Sequence, residues 1–145
     1  MFDDAFSALI TDLAKIPAKR TPGKTLLDET LVVVMGEFGR TPGPLNWVNG
    51  RHHWNKTFPV VFMGGGAAPS RIAGKSDAEG KLPVDLGWDH KEQAWIENVY
   101  ATIYSALGID WGKSITKTWS GRTYYYVDRL GQTTMINDDA LPIFA

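Results

Sequence analysis

Cysteine is absent, which excludes disulfides, thiolate metal ligands and a cysteine nucleophile. The compartment stays open on this count, because exported proteins need not contain cysteine. Any metal would have to be held through oxygen and nitrogen. An excess of either charge is also missing: 15 Lys and Arg face 16 Asp and Glu, for a formal charge of -1. No overall basic field exists to hold a polyanion backbone, so nucleic acid is not an expected partner. Long apolar runs are lacking too. The longest, Leu31 to Met35, falls far short of the roughly 18 to 20 residues that a membrane-spanning helix needs. Met1-Phe2-Asp3-Asp4 is acidic where a signal peptide would carry a basic segment, so no signal peptide is expected in this chain. The motifs GxGxxG, HExxH and GxSxG do not occur, and neither does a Walker pattern, which removes the compact signatures of nucleotide, zinc-protease and serine-hydrolase sites.

What is present suits one globular domain over residues 1–145, with 43% hydrophobic and 12% aromatic residues. Phe2, Ala5, Phe6, Leu9, Ile10 and Leu13 recur at three- and four-residue steps and predict an amphipathic helix that ends near Ile16, before Pro17. Residues 17–28 read as an exposed connector, rich at first in Pro, Lys, Arg, Thr and Gly. Leu31 to Met35, closed by Gly36, predicts a strand buried on both faces, of the kind found in parallel sheets flanked by helices. Chemistry in such sheets gathers at the carboxyl ends of strands, which draws attention to Glu37 to Pro42.

A second buried strand is expected over Phe58 to Met63, with Pro59 restricting its start and Gly64-Gly65-Gly66 forming a turn with positive φ. Arg71 to Gly74 is the best strand candidate in the Gly- and Ser-rich stretch that follows. Asp89 can cap a helix from about His90 to Leu107, with Gly108 as its stop. Thr123 to Val127 predicts a Tyr-rich strand, and Thr133 to Ile136 a hairpin partner for it.

All three histidines, at 52, 53 and 90, lie in the segments after the two strong strands. Imidazole is a common ligand for divalent metals, and Glu37 would add a carboxylate, so Glu37, His53 and His90 form a candidate metal set; solvent-exposed loop histidines are the competing reading. Arg40 and Arg51 occupy the same two loops, and a guanidinium fork suits tetrahedral oxyanions through paired hydrogen bonds. The alternative for each arginine is a loop-fixing ion pair. Trp47, Trp54 and Trp88 fall in loops, where they serve either sugar stacking or packing.

Three stretches together carry a resemblance: Leu31 through Gly36-Glu37-Phe38-Gly39-Arg40-Thr41-Pro42, Asn49-Gly50-Arg51-His52-His53-Trp54, and Ala101 through Asp110. In their wording and order they resemble the C-terminal part of the sulfatase-like bacterial family called domain of unknown function 1501, over the first helix to about Val127. The resemblance implies an α/β fold, the C-terminal half of an alkaline-phosphatase or sulfatase-like sandwich with a mainly parallel sheet. It implies a metal-assisted hydrolase of sulfate or phosphate esters, with Glu37, His53 and His90 facing a divalent metal such as Zn, Ca or Mn, and Arg40 and Arg51 as oxyanion contacts.

Two positions depart from the superfamily pattern. Glu37-Phe38 stands where an Asp-His metal pair is usual, and His52 replaces the acid of Arg-Asp-His-Trp. Relatives of this kind usually run to several hundred residues, with the nucleophile in an earlier portion that has no counterpart here. The expected partner is accordingly the remainder of a parent polypeptide or another protein subunit, besides an anionic ester substrate. Members commonly look exported, so the resemblance implies a periplasmic or exported location. The competing class is a non-catalytic structural or interaction subunit of a larger assembly, which needs no cofactor.

Overall fold

The computed structural model describes residues 2–88, 93–127 and 139–144. In chain order its elements are α1 (Phe2–Lys15), β1 (Val32–Met35), β2 (Gly39–Arg40), β3 (His53–Trp54), β4 (Val60–Met63), β5 (Lys75–Ser76), β6 (Pro83–Asp85), α2 (Ile96–Ala106), β7 (Ser114–Ile115) and β8 (Tyr124–Tyr125). They divide between two compact units. One comprises Met1–Ile72, Ser76–Leu82 and Ile143–Ala145; the other comprises Ala73–Lys75 and Pro83–Pro142.

In the first unit α1 forms where the apolar periodicity places it. Asp3 and Asp4 in its first turn and Lys15 in its last complement the helix dipole. Phe6, Ile10 and Leu13, at i, i+4 and i+7, are half-buried, while none of its described residues is fully buried. The connector is more ordered than its composition suggests. It folds back so that the Leu27 N–H donates to Leu13 O at 3.0 Å and the Leu26 N–H to Ile16 O at 2.7 Å. Those are carbonyls that the end of a helix leaves without an internal partner. An isolated bridge between Pro17 and Thr25 closes the loop.

The expected parallel-sheet sandwich is not the architecture found. β1 pairs antiparallel with β4 alone, Val32 opposite Met63 and Met35 opposite Val60, and the described strands form four separate two-stranded sheets. Every residue of β1 is only half-buried. A continuous run of Val and Met shows that both faces of a strand are apolar, but it carries no information about the direction or number of its neighbours. The alkaline-phosphatase or sulfatase-like fold expected from the resemblance is corrected on this ground. β4 starts just after Pro59, as the missing proline N–H requires. Gly64, Gly65 and Gly66 follow with φ of 67°, 56° and 85°. At Gly64 a side chain would strike the Leu27 and Thr30 carbonyls, so only glycine lets the turn pack against the connector.

Arg71 to Gly74, expected as a strand, is not one; β5 begins one residue later, at Lys75. The second unit is built on α2. Helix α2 starts at Ile96, six residues after the expected position, and the proposed cap Asp89 lies outside the described residues. Its start is fixed instead by Asn98, whose Oδ1 accepts the Trp95 backbone N–H at 2.6 Å. At its end Gly108, with φ 69°, donates to Ser105 O and Ile109 donates to Tyr104 O, a Schellman closure at the glycine expected to stop it. The buried face holds Val99 and Ala101 beside the polar Asn98 and Thr102. Thr102 Oγ1 accepts the Leu141 N–H and Asn98 Nδ2 donates to Asp139 O, tying Asp139 and Leu141 onto the helix. Buried Val127 adds to the core, and Tyr126 stacks on Tyr104 of α2. β8 pairs with β7, Ser114 opposite Tyr125 and Ile115 opposite Tyr124; the Thr133 to Ile136 stretch lies outside the described residues.

Candidate functional site

The β2–β3 hairpin of the first unit gathers four of the residues singled out by sequence. Its register sets Arg40 opposite His53 and Gly39 opposite Trp54. Side chains alternate along extended chain, so Phe38 and Arg40 emerge on the face that also carries His53. Pairing continues beyond the strands, with the Thr41 N–H donating to His52 O at 3.0 Å and the His52 N–H to Thr41 Oγ1 at 3.1 Å. Gly39 is buried. A Cβ there would collide with the Thr57 carbonyl, which explains a glycine in mid-hairpin.

Asn46 organises the loop between the two strands. Its Oδ1 accepts the N–H groups of Val48 and Gly50 at 3.1 and 2.9 Å, and its backbone N–H donates to Gly50 O. Asn49 takes a positive φ of 55°, a conformation that asparagine tolerates well. The loop therefore delivers Arg51 to His53 in a fixed register, and Asn46 Nδ2 stands 3.5 Å from His52 Nε2.

Both guanidinium groups are anchored by main-chain carbonyls. Arg51 Nη1 donates to Thr41 O at 2.5 Å, and Arg40 Nη1 to Arg51 O at 3.5 Å. Arg40 Nη2 lies 3.8 Å from Glu37 Oε1, with the two side chains 53% and 68% exposed. The Arg40 Cζ also sits 5.0 Å from the centroid of the Phe38 ring, which contacts the His53 imidazole at 3.7 Å between centroids. Aromatic and cation–π contacts of this kind orient a guanidinium without consuming all its N–H donors.

Arg40, Arg51, Glu37 and His53 are thus brought together. His90, the third member of the candidate metal set, lies outside the described residues. Among the described residues no group of three or more His, Asp or Glu is arranged to hold a metal ion. Glu37 is turned to Arg40 and His53 to Phe38, so the described donors fall short of a metal cage. Of the loop tryptophans, Trp54 is a structural member: its Nε1 donates to Lys81 O at 3.0 Å, while Trp47 stands exposed. Sequence reasoning passed over Thr41 and Asn46, which hold the site through their own polar atoms, and used Phe38 only as a departure from the metal pattern. The signal for Asn46 was available in the Asn and Gly spacing of residues 46–50, typical of a side chain that hydrogen-bonds its own loop.

A family model described as protein of unknown function (DUF1501) matches residues 1–136, and the chain belongs to that family. No curated protein and no solved structure matches it.

Proposed function

We propose that this member of the DUF1501 family binds the oxyanion of a sulfate or phosphate ester on the Arg40 and Arg51 face of the hairpin. In this reading the chain serves ester hydrolysis together with another polypeptide segment that brings the nucleophile. The observation that supports it is the anchoring of two arginines, on one short hairpin, by backbone carbonyls instead of buried carboxylates. Each guanidinium has five N–H donors and keeps several for an incoming anion. The competing carboxylate is weak opposition, because an exposed pair at 3.8 Å contributes only about 0 to 1 kcal/mol. A tetrahedral dianion can displace it through charge-assisted, paired hydrogen bonds.

A relation to the alkaline-phosphatase superfamily belongs to this proposal as one of site chemistry, with an exported location as its cellular setting. Among the described residues the donors do not by themselves complete a metal site. Calorimetric titration of the full chain with inorganic phosphate and sulfate, with Arg40→Met as control, tests the reading. Binding that vanishes in the variant supports it; equal heats in both sink it. Elemental analysis of the same sample reports whether Zn, Ca or Mn accompanies the chain.

A second reading, a non-catalytic subunit, is favoured by α1. That amphipathic helix leaves Phe2 and Leu9 exposed and buries none of its described residues fully. Light scattering distinguishes it: self-assembly or a retained partner supports a subunit role, and a stable monomer opposes it.

A further inference from the structure

The β7–β8 hairpin of the second unit concentrates exposed aromatic and basic side chains that the hairpin site does not use. Residues 111–127, bracketed in sequence by Asp110 and Asp128, contain Lys113, Lys117 and Arg122 and no acid. The tip is a tight turn closed by the Gly121 N–H donating to Thr118 O at 3.0 Å. Thr118 Oγ1 bonds Arg122 O at 2.6 Å and locks the same turn from the inside. Gly121 supplies the positive φ of 71° that the turn needs. Held on this frame, Trp119 is 102% exposed, an indole with no contact to protect it from water. Below it Ile115 and Tyr124 face each other across the strands at about half exposure, and the Arg122 guanidinium lies 5.6 Å from the Tyr124 ring centroid.

We infer that this hairpin docks on an anionic lipid surface, with Trp119 entering the headgroup layer and Lys117 and Arg122 held against it. Charge complementarity identifies the occupant: Lys117 and Arg122, which flank the turn, are both cations, and a tip charged in this way calls for an anionic surface. The shape favours a bilayer over a nucleic acid. A strand of bases needs a basic groove lined with stacking rings, whereas the Trp119 indole stands fully exposed at a tight turn. Indole and phenol rings, apolar in body and polar at one edge, settle at the membrane–water interface. Lipid docking is a peripheral contact and agrees with the finding that no helix among the described residues is long and apolar enough to cross a membrane.

The test is cosedimentation of the full chain with vesicles of phosphatidylcholine alone and of phosphatidylcholine mixed with phosphatidylglycerol. Binding is expected only to the mixed vesicles, weakening as salt is raised. Lys117→Gln and Arg122→Gln should each weaken it about fivefold, and Trp119→Ser at least as much. The exposure of these side chains keeps the variants folded, which circular dichroism verifies. Equal binding to both vesicle types overturns the inference, as does binding that Trp119→Ser leaves unchanged. Tighter binding to a single-stranded oligonucleotide, or a dimer that Trp119→Ser dissolves, assigns the tip to another occupant and equally overturns it.

Discussion

The His53 imidazole lies against the Phe38 ring, with centroids 3.7 Å apart and planes inclined by 30°. Phe38 therefore works as the platform of the hairpin site, in contact with both His53 and Arg40. Replacing it by leucine keeps an apolar group but removes the π face. Phe38→Leu should cost about 1 kcal/mol of stability, in the range for aromatic pairs. It should also shift the His53 ring protons downfield as the ring-current shielding disappears. Unfolding by urea and a proton spectrum of the two proteins check both parts. An unchanged His53 resonance would mean that the two rings do not stack in solution.

Arg40 and Glu37 compete on the same face. If Arg40 takes an oxyanion, Glu37→Gln should tighten phosphate binding severalfold, because the neutral amide no longer holds the guanidinium. Arg40→Lys should weaken it about tenfold, since a point charge loses the paired geometry. A metal site built on Glu37 gives the opposite result for the first variant, with loss of the ion and of any anion bound through it. Titration of the two variants separates the readings.

The sequence was most informative where a residue decides its own local conformation. The α1 boundaries follow from apolar spacing and Pro17, the end of α2 from Gly108, and the start of β4 from Pro59, because each rests on sterics or hydrogen bonds within a few residues. Nothing in Leu31 to Met35 told that β4 alone would pair with it, antiparallel, since partner choice is a long-range property. The start of α2 was misplaced for a related reason. Asp89 is a good capping residue by type, yet Asn98 fixes the helix start from within its first turn. At the site, the pairing of Arg40 with His53 was foreseen only as membership of neighbouring loops, and the anchoring carbonyls were invisible because every residue has one.

Gly39 is the position where the hairpin tolerates least. A methyl group would run into the Thr57 carbonyl and press on the Trp54 carbonyl, both main-chain atoms that cannot rotate away. Gly39→Ala should destabilise the protein by about 1 to 3 kcal/mol, as overpacking does. It should also reduce anion binding together with Arg40, although it removes no polar group. A thermal melt and a phosphate titration on the variant test this. Unaltered binding with a lowered Tm would show that the anion does not depend on the β2–β3 register.

The connector carries its own acid sensitivity. The backbone N–H and the hydroxyl of Thr25 donate to Asp28 Oδ2 at 2.7 and 2.8 Å, and these two bonds hold the Asp28 carboxyl below its ordinary value of 3.8. Partial desolvation opposes them and Lys24 assists them. A group whose folded pKa is depressed adds stability that is fully present above its unfolded pKa. That stability is lost as pH falls from there through the lowered folded value. Acid should therefore loosen the turn through which Leu26 and Leu27 cap α1, before the rest of the first unit responds. Asp28→Asn keeps an acceptor but cannot be protonated, so its Thr25 amide resonance should stay flat across the acid range where the parent shifts. Both proteins shifting alike would place the acid response outside this turn.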